Sequence, residues 1–122
     1  MVGNPIENHV MQEQEQMQTI LGASGQIGHE LALSLKRDFT SKIRLVSRNP
    51  VKINDSDELF SADLLNASQT LQAVEGSKIV YMTAGLPIDS TMWVERWPVM
   101  MRNTIDACAA HQAKLVYFDN TY

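Results

Sequence analysis

The stretch Thr19-Ile20-Leu21-Gly22-Ala23-Ser24-Gly25-Gln26-Ile27-Gly28 decides the fold. Three glycines recur at every third position between a short apolar run, Gln18 to Leu21, and a segment, Gln26 to Arg37, in which Ile27, Leu31 and Leu35 repeat at i, i+4 and i+8. The first pattern predicts a strand and the second an amphipathic helix with one apolar stripe. At such a strand-to-helix turn each glycine has its own task. Gly22 permits the sharp exit from the strand, Gly25 lets the backbone approach a pyrophosphate with no Cβ between them, and Gly28 lets helix and sheet pack closely. The amides around Gln26 and Ile27 then face the anion from the helix amino terminus, where the dipole also favours negative charge. A merely structural glycine turn is the alternative, and the flanking strand and helix favour a bound dinucleotide over it. No Gly-Lys-Ser or Gly-Lys-Thr follows, so a P-loop is excluded.

Outward from the turn, short apolar runs alternate with helical patterns. The runs are Ile43 to Ser47, Glu58 to Ser61, Lys78 to Met82 and Lys114 to Phe118. Ser68 to Val74 reads as a short helix with Leu71 and Val74 facing inward and Gly76 just past its end. Ser90 to His111 reads as a longer helix that Pro98 either kinks or divides in two. This alternation predicts an α/β domain of Rossmann type, a doubly wound parallel sheet of about five strands in the order 3-2-1-4-5. The sequence ends at Tyr122, soon after the fifth run. The expected sheet is therefore truncated before a sixth strand and before a substrate lobe, with one edge exposed or paired with another chain as a homo-oligomer.

Composition narrows the function classes. At 122 residues, 44% of them hydrophobic, the chain has room for one domain with one core. Ten Lys and Arg against fourteen Asp and Glu leave a net charge of −4, which argues against a nucleic-acid partner. Cys108 is the only cysteine, so a disulfide framework and a cysteine-rich zinc site are excluded, and a reducing cytoplasm is the default. No apolar run is long enough to span a bilayer, so no membrane is expected. Residues 1–15, with Asn4-Pro5 and the alternation Gln12-Glu13-Gln14-Glu15-Gln16, read as a mobile leader to a domain over residues 16–122. A helical arm touching a partner is the alternative for that leader.

Several side chains read more plainly as structure than as chemistry. His9, His29 and His111 lack the spacing of a metal site, and no metal is expected. Trp93 and Trp97 share a helix face and either line a pocket or are buried, burial being the commoner case. Met100 and Met101 read as gap-fillers, and Cys108 as a small buried residue without a basic partner to make a thiolate.

The spacing Gly22-x-x-Gly25-x-x-Gly28 resembles the short-chain dehydrogenase/reductase superfamily, especially its extended and atypical branches of NAD-dependent epimerase/dehydratase type. The likeness runs from about residue 17 to 122. Ala62-Asp63-Leu64 resembles the family's adenine-reading pair, Val80 to Gly85 resembles the fourth strand that lines the cofactor ribose, and Leu115 to Thr121 resembles the fifth strand and the hydroxyl-bearing residues after it. The resemblance implies cofactor contacts from Gly22, Ser24, Gly25, Gln26, Ile27, Gly28, Arg48, Asp63, Leu64, Ala84 and Gly85. It also implies that Thr121 orients the reacting oxygen of a small-molecule substrate, although Asp119 and Asn120 stand where the family has serines. The family's Tyr-x-x-x-Lys pair is not found, and Tyr122 has no following Lys. Read without the resemblance, Asp63 is equally a helix cap.

The second run ends in Ser47-Arg48-Asn49-Pro50, with no carboxylate beside it. An acid there binds a ribose 2′-hydroxyl, whereas an Arg accommodates a 2′-phosphate, so NADP is favoured over NAD. Arg48 as a solvated residue opening a turn is the plainer alternative. The function expected is the NAD(P)-binding domain of an epimerase/dehydratase-like oxidoreductase, whose parent reaction is hydride transfer to or from a carbonyl or alcohol carbon. A non-catalytic module that senses the dinucleotide or binds a partner is the rival from another class.

Overall fold

Strand β1, Met17–Leu21, is hydrogen-bonded on both sides, to β2 (Ile43–Ser47) and to β4 (Ser77–Met82). Its side chains alternate between two cores because successive Cβ atoms leave opposite faces of a strand. Ile20 joins Ala23, Ala32, Leu35, Ile43 and Leu45 on one face. Leu21 joins Val46, Val80, Met82, Val74, Met100, Cys108 and their neighbours on the other. Both Ile20 and Leu21 are fully buried, each such side chain contributing on the order of 2 kcal/mol. A strand covered on both faces must pair any polar side chain that it buries, and the fully buried Thr19 hydroxyl is hydrogen-bonded to the Ser77 hydroxyl of β4.

The computed structural model describes residues 16–83 and 90–117, with 90–94 described by backbone alone. Strand β3, Glu58–Ser61, pairs with β2, and β5, Lys114–Tyr117, pairs with β4. All pairings are parallel, in the order β3-β2-β1-β4-β5 expected of a doubly wound sheet. Helix α1, Gln26–Asp38, covers the Ile20 face, while α2, Ala67–Val74, and α3, Ser90–His111, cover the Leu21 face. The strand order reverses at β1, and in open sheets of this class ligands bind beyond the carboxyl ends of the strands at such a switch point. Leu21 is level with Val46 and Met82 at that edge, and Ser47 lies opposite Ser61 one step further on.

Two helix faces differ from the periodicity reading. On α1 the buried residues are Gly28, Ala32 and Leu35, with Ile27 and Leu31 half-buried beside them. A Cβ on Gly28 would lie 2.8 Å from the Ala23 Cα, so the helix turns its smallest residues to the closest approach. On α2, Leu71 is 41% exposed rather than inward, and Thr70, Ala73 and Val74 are buried. Thr70 tolerates burial because its hydroxyl donates to the carbonyls of Asn66 (2.9 Å) and Leu64 (3.3 Å). Gly76 follows α2 at φ 79°, the left-handed conformation expected of a residue closing a helix. Pro98 lies inside one continuous helix, which does not divide. Among the described residues no helix is long and apolar enough to cross a membrane.

Candidate dinucleotide site

The turn after β1 is held by backbone on both flanks. Gly22, at φ 81°, and Ala23 both donate their amides to the Val46 carbonyl, at 2.9 and 3.1 Å. From the other side, the Thr83 amide donates to the Leu21 carbonyl at 3.0 Å. The Thr83 hydroxyl donates to the carbonyls of Leu21 (2.8 Å) and Gly22 (3.2 Å). The Gly25 amide closes the turn on the Gly22 carbonyl at 3.3 Å. These bonds use the carbonyls of the turn and leave the start of α1 unsatisfied. His29 makes the first helical bond, to the Gly25 carbonyl at 3.0 Å, and the amides of Gln26, Ile27 and Gly28 have no acceptor among the described residues. The N-cap is Gly25, which brings no side chain to them, and no acid lies in the first turn to offset the dipole. A Cβ on Gly25 would have only the Gly22 carbonyl oxygen nearby, at 3.8 Å. Acceptor-free amides thus follow a glycine with room at its Cβ position, an arrangement that fits a pyrophosphate.

Beyond β2, Arg48 is exposed, and its guanidinium has no hydrogen-bond or ion-pair partner among the described residues. Its carbonyl accepts from the Ser61 hydroxyl at 2.7 Å, which ties this corner to β3. The Ser24 hydroxyl donates to the Ser47 hydroxyl at 2.9 Å, joining the glycine turn to the end of β2.

After β3 the chain turns at Asp63-Leu64. Asp63 is not the cap of α2: Asn66 is, its side-chain oxygen accepting the Gln69 amide at 3.0 Å. The spacing Asn66-Ala67-Ser68-Gln69 is a capping signature that the periodicity reading passed over. The Asp63 carboxylate accepts the Leu65 amide at 2.9 Å, and the Asp63 amide donates to the Gln69 side chain at 2.8 Å. The Leu64 carbonyl accepts from the buried Asn103 side chain at 2.9 Å, whereas the Leu64 amide has no acceptor among the described residues. A carboxylate and a free amide thus stand on adjacent residues, a pattern that suits the edge of an adenine. Asn103 was not singled out from the sequence, because nothing local marks a helix residue that supports a turn 39 positions earlier.

Ala84, Gly85, Asp119, Asn120, Thr121 and Tyr122 lie outside the described residues, as do residues 1–15 and the Trp93 side chain. Trp97 is partly buried against the larger core, its ring 5.8 Å from that of Tyr117. Met100 is buried in that core and Met101 packs at its margin. His111 contacts the Leu71 carbonyl at 3.0 Å, and no cluster of metal-ligating side chains occurs among the described residues. Cys108 is buried, and desolvation pushes its thiol up to about 11. Alkylation of the folded chain at neutral pH should therefore be slow, and it should reach the rate of an ordinary thiol once urea exposes Cys108. Rapid labelling under native conditions would show that the α3 core opens readily.

Comparison with known structures agrees with this fold. Uronate dehydrogenase from Agrobacterium tumefaciens superimposes with a TM-score of 0.74 at 20% identity over 85% of this chain and 40% of its own. A second structure of that enzyme was solved with NAD. A Rossmann-fold NAD(P)-binding family protein from Shigella flexneri superimposes with a TM-score of 0.64 at 26% identity, over 82% of this chain and 49% of its own. A short-chain dehydrogenase/reductase from Veillonella parvula in complex with NADP gives a TM-score of 0.62 at 22% identity over 84% and 46%. This chain thus spans less than half the length of each of these structures. No curated protein matches it in sequence. Residues 22–118 match the NAD(P)H-binding family, a span that runs from the first glycine of the turn and takes in all of β5, and the chain belongs to that family.

Proposed function

We propose that this NAD(P)-binding domain serves an oxidoreductase that prefers NADP and transfers hydride to or from a carbonyl or alcohol carbon of a small molecule. The observation that carries the reading is the pairing of acceptor-free amides at Gln26 to Gly28 with an exposed, unpartnered Arg48 at the end of β2. When bound, the nicotinamide supplies the hydride chemistry; the chain's own residues bind and orient. The main-chain amides of Gln26, Ile27 and Gly28 would hold the pyrophosphate, with Gly22 and Gly25 allowing its close approach, Asp63 and Leu64 would hold the adenine edge, and Arg48 with Ser47 the 2′-phosphate. By the family resemblance, Ala84 and Gly85 would line the ribose and Thr121 would orient the reacting oxygen. The same reading keeps residues 1–15 as a leader to the domain, places the protein in the cytoplasm, and leaves the outer sheet edges for pairing with another copy.

Calorimetric titration with both cofactors tests it. NADP(H) should bind about 10- to 100-fold more tightly than NAD(H), since charge-assisted bonds to one group contribute roughly 1.5 to 3 kcal/mol. Added salt should narrow the gap by screening an exposed pair. Arg48→Asp should reverse the preference by repelling the phosphate and accepting from a 2′-hydroxyl. Equal affinities that the substitution leaves unchanged would refute the assignment.

A further inference from the structure

We infer that Ser24 is a positioning residue for cofactor choice, its hydroxyl fixing the direction of the Ser47 hydroxyl so that Ser47 presents a proton to a 2′-phosphate. This rests on the NADP reading above.

A serine hydroxyl has one proton to give and can accept two. Ser24 gives its proton to Ser47 across 2.9 Å. The Ser47 hydroxyl then holds a proton for which no acceptor exists among the described residues, and its carbonyl is already taken by the Ala62 amide at 3.0 Å. The pair is thus a two-membered chain ending in a donor, beside Arg48. A phosphate, rich in acceptors, matches such an end. A ribose 2′-hydroxyl, able to give or accept, gains little from the fixed direction. The donor end is also strengthened, because a hydroxyl that accepts a hydrogen bond becomes a better donor.

The spacing of the two serines is set by the main chain. Ser24 directly follows Ala23, whose amide is bound to the Val46 carbonyl, and Ser47 directly follows Val46. The turn is held again from β4 by Thr83. Ser24 therefore projects from a fixed platform, and removing its hydroxyl frees Ser47 to rotate without displacing the turn.

The test is calorimetric titration of NADP(H) and NAD(H) against Ser24→Ala, Ser24→Thr, Ser47→Ala, the Ser24→Ala/Ser47→Ala double variant and Arg48→Ala, with melting of each ligand-free chain recorded alongside. Ser24→Ala should weaken NADP(H) binding about fivefold, change NAD(H) binding less than about twofold, and leave melting of the free chain unaltered. Ser24→Thr should restore the selectivity. In the Ser47→Ala background, Ser24→Ala should cause no further loss, since the two hydroxyls act as one unit. Independent additive losses, or equal losses for both cofactors, would overturn the relay. So would an unchanged ratio in Ser24→Ala where Arg48→Ala collapses it, and the NADP reading would then survive alone. A ratio that none of these substitutions moves would overturn that reading and the relay with it.

Discussion

Gly25→Val is expected to eliminate dinucleotide binding and to leave the fold in place. Gly25 sits at φ −83°, a backbone conformation open to any residue, and its added Cβ would make only an ordinary contact at 3.8 Å. The folding cost is limited to a poorer N-cap, about 1 kcal/mol. For binding the consequence is severe, because the branched side chain would occupy the space in front of the unsatisfied amides of Gln26, Ile27 and Gly28. Losing two or more charge-assisted bonds of roughly 1.5 to 3 kcal/mol each should weaken affinity at least about 100-fold. Urea melting and calorimetry on the same preparation separate the two effects. A folded Gly25→Val chain that still binds NADP(H) within a few-fold would mean that the anion does not approach at Gly25.

Three residues further on, the opposite outcome is expected. Gly28→Val should destabilise the fold by about 3 kcal/mol. Its Cβ would lie 2.8 Å from the Ala23 Cα and 3.1 Å from the Ala23 carbonyl carbon and oxygen. All three are main-chain atoms, and the Ala23 amide is bonded to Val46, so the obstacle cannot rotate away. The helix would have to retreat, pulling Ala32 and Leu35 from the Ile20 core. Gly28→Ala should show a smaller loss, since alanine recovers about 1 kcal/mol in helix propensity. Urea midpoints measure both, and wild-type stability in Gly28→Val would show that α1 can back away without cost.

The sheet was legible in the sequence because its signals are local. The runs of the central strands carry short apolar pairs that are fully buried, Ile20-Leu21 and Leu45-Val46, and the glycine turn marks where the first strand ends. From those runs the order 3-2-1-4-5 follows by the rules of chain connection. Helix orientation was less legible, because apolar residues on α1 and α2 are spread around the axis and size decides which face is buried. Val74 faces inward as expected, whereas Leu71 is exposed and Thr70 and Ala73 complete the buried face. Hidden from a linear reading were bonds between distant positions: Asn103 with the Leu64 carbonyl and Ser24 with Ser47. Each joins a side chain to a partner that no local pattern announces.

The way the glycine turn is fastened bears on how such a chain can drift over generations. Gly22 and Ala23 hold the Val46 carbonyl, Ala62 holds the Ser47 carbonyl, and the Thr83 amide holds the Leu21 carbonyl. Every non-proline residue carries those same amides and carbonyls, so mutation at most of these positions would leave the bonds standing. Two glycines of the turn are closed to a side chain by the backbone itself, Gly22 by its positive φ and Gly28 by its contact with Ala23. A lineage built this way can exchange most of its letters, and with them its ligand preferences, while its architecture passes unaltered from ancestor to descendant.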